Sequence, residues 1–125
     1  MKPAREKLTP RELAIMQVVW DRGDATVRDV HEALSRQRRV AYTTVMTLMS
    51  ILVTKGHLAR KQDERAYVYS PARPRQQVVG RLVRDFVDRV FSGSAHPLLL
   101  HLVKNEKLSP AERAELKRVI DRLED

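Results

Sequence analysis

The sequence predicts a mainly α-helical fold with one small β-hairpin. Two observations predict it. Apolar residues recur at helical spacing near both ends of the chain, whereas residues 58–70 alternate with a period of two. Capping residues also mark helix starts at regular intervals. At 125 residues the chain has the length of about one domain.

The first helix is predicted to begin after Thr9. Thr9 is an N-cap residue, Pro10 occupies the first helical position, and Glu12 completes a capping box. Gly23 ends this helix. Its apolar stripe is Leu13, Met16 and Trp20, backed by Ile15, Val18 and Val19.

Two further helices follow. Thr26 caps the second, with Asp29 in the place of the glutamate. After the polar, basic residues 35–39, the third runs from near Ala41 to Lys55, and Gly56 stops it. The apolar stripe of the second is Val27, Val30, His31 and Leu34. The buried face of the third is Val45, Leu48, Met49, Leu52 and Val53.

A hairpin is predicted after the third helix. The strands are 58–62 and 66–70, because Tyr67, Val68 and Tyr69 favour extended backbone. Asp63, Glu64 and Arg65 form the turn between them. The prolines in residues 71–74 disfavour continued helix. We therefore place a domain boundary between residues 73 and 74.

The remaining residues, 74–125, predict helices again. A long helix is broken by residues 92–94, a short one starts at Pro97, and Ser109 caps the last. Their apolar stripes exceed what the first module can bury, so we expect a second copy of the chain to cover them. Folding back onto the first module is the alternative. The predicted dimerisation residues are Leu82, Val83, Phe86, Val90, Phe91, Leu98, Leu99, Leu102, Leu116, Val119 and Ile120.

Three helices followed by a hairpin is the order of a winged helix-turn-helix domain, whose third helix enters the DNA major groove. No charged residue occurs between residues 41 and 54, which is unusual for a solvated helix. A mostly buried helix with incidental threonines is the alternative interpretation. The outer face carries Tyr42, Thr43, Thr44, Met46, Thr47 and Ser50, which suit phosphate hydrogen bonds and thymine methyl groups.

Charge supports double-stranded DNA as the partner. The net charge is +8, of which residues 1–73 hold +6 and residues 74–125 hold +2. Cations around a neutral face allow phosphates to position the protein while that face contacts bases. The bracketing residues are Arg36, Arg38, Arg39, Lys55, Arg60, Lys61 and Arg65, together with Thr26 and Arg28 at the start of the second helix.

Several classes are disfavoured. With no cysteine, disulfides and thiolate metal sites are excluded, which fits a cytoplasmic protein. The four histidines are scattered, so no metal, cofactor or catalytic site is predicted. No apolar run spans a membrane, and Met1–Lys7 lacks the apolar stretch of a signal peptide. The alternatives that stay open are a winged helix for protein or RNA contacts and an effector-gated regulator.

Longer segments add a resemblance. Residues 8–13, 25–34 and 65–69 match the penicillinase-repressor family of winged-helix transcriptional regulators, which includes methicillin-resistance repressors. The most specific segment is Ala41-Tyr42-Thr43-Thr44-Val45-Met46-Thr47. The resemblance extends from Leu8 to about Leu123.

The resemblance implies a bacterial homodimeric repressor on inverted repeats near TACA/TGTA. It implies base contacts from Thr43, Thr44, Met46 and Thr47, and backbone contacts from Thr26, Arg28, Tyr42 and the wing from Arg60 to Arg65. In antibiotic-responsive members, a membrane-sensor pathway ends in cleavage of the repressor at an Asn-Phe bond. Here His101 and Leu102 stand in that place, so the cleavage dipeptide is absent.

Overall fold

A computed structural model describes residues 7–123. The expectation about Met1–Lys7 therefore falls, apart from Lys7, outside the described residues. The elements follow the predicted order of three helices, a hairpin and further helices. They are α1 Pro10–Arg22, α2 Val27–Ser35, α3 Tyr42–Thr54, β1 Leu58–Asp63, β2 Ala66–Pro71, α4 Arg75–Val90, α5 Ala95–Asn105 and α6 Pro110–Arg122.

The predicted capping boxes are confirmed. The Glu12 backbone N–H donates to the Thr9 hydroxyl at 3.1 Å, and the Asp29 backbone N–H donates to the Thr26 hydroxyl at 3.1 Å. Ser109 makes the same arrangement at the start of α6. α3 differs, because its N-cap Ala41 has no side chain that can cap it. Helix starts are therefore fixed locally in α1, α2 and α6, but not in α3.

α1, α2, α3 and the hairpin enclose one hydrophobic core. Its fully buried side chains include Ile15, Val19, Val30, Val45, Met49, Leu52 and Tyr69. The predicted buried face of α3 is confirmed in Val45, Met49 and Leu52, with Leu48 and Val53 half-buried beside them. The predicted α1 stripe is confirmed only in part, at Met16. Ile15, Met16 and Val19 are buried, while Leu13 and Trp20 are only half-buried.

The strands pair antiparallel, with Leu58 opposite Pro71 and Asp63 opposite Ala66. The three-residue turn expected from sequence is therefore one residue too long, since Asp63 belongs to the ladder. Glu64 bends the chain with φ of 55°. A short bridge at the other edge of β2 joins Tyr69 to Ala25, the residue before the α2 cap.

The chain divides into two compact units, one ending at Val79 and one beginning at Gly80. α4 begins in the first unit and continues in the second. Positive φ angles at Ser92 and Gly93 end it, as the sequence predicts for residues 92–94. α5 begins two residues earlier than expected, because Pro97 is tolerated in a first helical turn. No helix within residues 7–123 combines the length and apolar character needed to cross a membrane.

Candidate nucleic-acid interface

The outer face of α3 is open to solvent. Tyr42 and Met46 are 46% and 43% exposed, and Thr43 and Thr47 are also exposed. Thr44 is half-buried. Of the two interpretations of α3, an exposed neutral face agrees better with these positions than a buried helix.

The start of α2 is held beside the wing by the backbone. The Ala25 N–H donates to the Tyr69 carbonyl at 2.9 Å, and the Tyr69 N–H donates to the Ala25 carbonyl at 2.8 Å. This pair of bonds fixes Thr26 next to β2. The backbone N–H groups of Val27 and Arg28, in the first turn, have no hydrogen-bond partner within residues 7–123. They are available to an anion.

The capping carboxylate at this helix start is held ionised. The Thr26 backbone N–H donates to Asp29, and with the Thr26 hydroxyl and the charges of Arg22 and Arg28 it lowers the pKa of Asp29, although burial opposes the shift. Arg22 lies 3.3 Å from the Asp29 carboxylate. The cap is therefore charged at neutral pH, and an incoming phosphate meets one local negative charge as well as the free N–H groups.

α2, α3 and the hairpin together enclose a groove of about 420 Å³, which we call the wing groove. It brings six predicted DNA-binding residues onto one surface. Those six are Thr26, Arg28, Tyr42, Met46, Arg60 and Arg65. The groove is lined by three cations and a neutral helix face, which is the arrangement that phosphate positioning with base contact requires.

The groove cations are free to meet phosphate. Arg65 has no ion-pair partner among the described residues, and Arg28 makes only a solvent-exposed pair with Glu32 at 3.5 Å. Exposed pairs of this kind contribute about 0–1 kcal/mol, so a phosphate can replace the glutamate. Arg60 stacks over the Tyr67 ring at 4.5 Å from its centroid. This cation–π contact keeps the Arg60 side chain beside Tyr67.

Tyr67 is a groove residue that the sequence interpretation missed. β2 places it on the same face as Tyr69, and Arg60 of β1 lies opposite Tyr69. The period-two alternation puts the two tyrosines on one face, but the predicted three-residue turn would pair Arg60 with Val68, so only the observed register brings Arg60 to their face.

Other predicted DNA-binding residues lie outside the groove. Lys61 is opposite Val68 in the ladder, so it points to the other face of the hairpin from Arg60. Arg38 and Arg39 are exposed in the turn between α2 and α3, where they line a separate depression with Ser35. Thr43, Thr44 and Thr47 do not line the groove but share α3 with Met46.

Lys55 corrects the sequence interpretation. It was predicted to bracket the DNA-binding face, but its Nζ lies 2.8 Å and 3.1 Å from the two carboxylate oxygens of Glu12. Burial alone would raise the pKa of Glu12. Hydrogen bonds from Lys55 and from the Thr9 backbone outweigh burial, so the pKa of Glu12 is lowered. Lys55 therefore ties α3 to α1 and is not available to phosphate.

Apolar side chains are exposed throughout the second unit. Val83, Phe86 and Val90 of α4 are 42–57% exposed, and neither α5 nor α6 has a buried residue. The remaining predicted dimerisation residues are exposed at Leu99, Leu102, Leu116, Val119 and Ile120 and half-buried at Leu82, Phe91 and Leu98. His101 and Leu102 both lie in the middle of α5, on the solvent side.

Within residues 7–123, no group of three or more His, Cys, Asp or Glu side chains is arranged to hold a metal ion.

His31 is half-buried, as the sequence predicted, and its ring packs edge-on against Tyr42 with 5.5 Å between centroids. The open surface of the first unit is thus formed by α3, the start of α2 and the hairpin. These features define the class as a winged-helix protein.

Comparison with known proteins agrees with this class. The DNA-binding domain of the repressor BlaI, solved in solution, matches 60% of this chain and 88% of its own, with a TM-score of 0.52 and 25% identity. Bacillus licheniformis BlaI in monomeric form, in complex with the blaP half-operator, matches 57% of this chain and 87% of its own, with a TM-score of 0.50 and 25% identity.

Sequence comparison identifies the family. The penicillinase repressor family model matches residues 8–122. The transcriptional regulator BlaI of Mycobacterium tuberculosis is 38% identical over 94% of this chain and 86% of its own length. The methicillin resistance regulatory protein MecI of Mammaliicoccus sciuri is 25% identical over 93% of this chain and 94% of its own. The chain belongs to the penicillinase repressor family, a family of DNA-binding transcriptional repressors.

Proposed function

We propose that this protein is a sequence-specific transcriptional repressor that binds an inverted-repeat operator of the TACA/TGTA type as a homodimer. The observation that carries the proposal is the wing groove, where Arg28, Arg60 and Arg65 surround the uncharged face of α3. A related winged-helix protein has been solved in complex with a half-operator, which supports the same use of this surface.

The exposed apolar surface of the second unit supports the homodimer. Burying a large apolar side chain contributes roughly 1.5–3 kcal/mol, and α4, α5 and α6 together expose ten such side chains in a single chain. A second copy carries the same surface, so a two-fold contact covers both at once. Two-fold symmetry in turn matches an inverted repeat.

The proposal includes relief of repression by proteolysis of this chain. His101 and Leu102 stand where relatives carry the cleavage dipeptide, so the peptidase would have another specificity. Both residues are exposed in the middle of α5, and a peptidase would have to unwind that helix to reach the bond between them. Cleavage there would separate α6 from α4 and thereby weaken the dimer. The link to β-lactam response is proposed on family membership alone.

Thr44→Ala tests base contact by α3. It removes a hydroxyl from the face that we assign to base contact, so we expect about tenfold weaker binding to the operator and unchanged binding to random DNA. Thr54→Ala is the matched control, since Thr54 is exposed at the far end of the same helix. Equal operator affinity in both variants and the wild type would remove Thr44 from the interface.

Arg65→Ala separates phosphate contact from base contact. It should weaken binding to operator and random DNA alike and reduce the dependence of affinity on salt by about one unit of slope. A variant with an unchanged salt slope would remove the wing arginine from the phosphate contacts while leaving the role of α3 to be judged by Thr44→Ala.

A further inference from the structure

The start of α3 has no side-chain cap, unlike the starts of α1 and α2. Thr9 and Thr26 cap α1 and α2, whereas Ala41 offers only a methyl group to the first turn of α3. The preceding turn holds Arg38 and Arg39, whose like charges repel. The N–H groups of residues 39–41 donate no backbone hydrogen bond within the described part of the chain. The residues at the start of α3 and in the turn before it therefore do little by themselves to fix where the helix begins.

His31 of α2 contacts this start from both sides of the cap. Its Nε2 lies 2.9 Å from the carbonyl oxygen of Val40, the residue before Ala41. A carbonyl only accepts hydrogen bonds, so Nε2 carries the proton and donates it. The imidazole ring also meets the Tyr42 ring at an interplanar angle of 71°, an edge-to-face contact.

We propose that His31 is a positioning residue for the DNA-contacting helix. It holds the Val40 carbonyl and the Tyr42 ring on either side of the N-cap Ala41, and so fixes where the face of Thr43, Met46 and Thr47 begins. The inference rests on the proposed function as far as the DNA readout is concerned. The sequence does not reveal this role, because His31 lies on the apolar stripe of α2 and is predicted to be a packing residue.

Three substitutions separate the two contacts. His31→Phe keeps a ring beside Tyr42 but removes the donor. His31→Gln keeps an amide N–H at the same number of bonds from Cβ as Nε2 but removes the ring. His31→Ala removes both. His96→Phe repeats the first chemical change at an exposed histidine of the second unit and serves as the control.

The first measurement needs no DNA. The Val45 amide donates the first hydrogen bond of α3 to Ala41, and the Val30 amide donates the equivalent bond of α2 to Thr26. We expect exchange of the Val45 amide to be about five- to tenfold faster in His31→Phe, the scale of one lost hydrogen bond, and unchanged at Val30. His31→Gln should restore slow exchange. Equal Val45 exchange in wild type, His31→Phe and His31→Ala would overturn the proposal.

The second measurement compares operator with scrambled duplex at a temperature at which every variant is folded. Positioning predicts that His31→Phe lowers the operator-to-scrambled affinity ratio about five- to tenfold and that His31→Gln recovers it. A purely structural role would lower the unfolding temperature but leave the ratio unchanged, which would overturn the proposal. If wild-type protein shows no preference for the operator, the proposed function fails, and the amide exchange of Val45 still decides the role of His31.

Discussion

The two compact units differ in how far their apolar side chains are buried. In the first, Ile15, Val45, Met49 and Leu52 are completely buried by three helices and a hairpin. In the second, residues of the same chemical kind, such as Leu99, Val119 and Ile120, are 43–60% exposed. Apolar periodicity therefore predicts which residues need to be buried, but it does not predict whether the surface that buries them belongs to the same chain. The first unit provides its own core, and the second exposes the apolar surface that we propose a second copy covers.

The largest expected effect is in the core of the first unit. Leu52→Ala removes a completely buried side chain and should lower the free energy of unfolding by about 2–5 kcal/mol. Leu100→Ala is the matched change in α5, where the side chain is 43% exposed, and should cost under about 0.5 kcal/mol. Denaturant unfolding of both variants checks the contrast. Equal losses would mean that Leu100 is also buried in the folded protein, either within one chain or between two copies.

Phe86→Glu tests the surface of the second unit. Phe86 is 42% exposed on α4 and contacts Phe91 at 5.9 Å between ring centroids. A carboxylate in an apolar interface is strongly disfavoured, so the dimer dissociation constant should rise at least about thirtyfold, about 2 kcal/mol. Sedimentation at micromolar concentration measures it. Gln76→Glu, at an exposed polar site of the same helix, is the control, and a Phe86→Glu protein that is still dimeric would place the interface elsewhere.

A smaller effect is expected from the buried ion pair of the first unit. Glu12→Gln should lower the free energy of unfolding by about 1–3 kcal/mol, because the charge-assisted bonds from Lys55 are lost. The folded-state pKa of Glu12 lies below its ordinary value of 4.5, so its stabilisation is fully present above pH 4.5 and is lost as the pH falls through the folded-state pKa.

The variant should therefore differ from wild type at pH 7 and converge with it in acid. Denaturant midpoints measured between pH 7 and pH 3 follow this difference. A gap that stays constant over the range would show that the loss comes from packing and not from the ionised carboxylate.

Local patterns in the sequence predicted most of the first unit. Interactions between residues only a few positions apart determine the Thr9 and Thr26 capping boxes, the end of α1 at Gly23 and the hairpin. Such local interactions can be predicted from the order of residues in the sequence. The α1 stripe was predicted only in part, because Leu13 and Ile15 both fit a helical period and only packing against α2 and α3 makes Ile15 the buried residue.

Contacts between distant residues could not be predicted in this way. Lys55 looked like another DNA-facing cation, because nothing local shows that Glu12 lies within 2.8 Å of it. The Ala25–Tyr69 bridge, which brings the start of α2 to the wing, joins residues that are equally remote in sequence. The α3 face and most of the wing groove were predicted, since they follow from one uncharged helix and nearby cations.

Titration of the full chain onto a TACA/TGTA inverted repeat and a scrambled duplex, each at two salt concentrations, tests the central claim most directly. We expect the affinity for the repeat to exceed the affinity for the scrambled duplex at least about a hundredfold, and both affinities to fall as the salt concentration rises. Equal, salt-sensitive affinity for the two duplexes would contradict the proposed function. The groove cations would then bind phosphate, but the α3 face would not discriminate between the operator and other sequences.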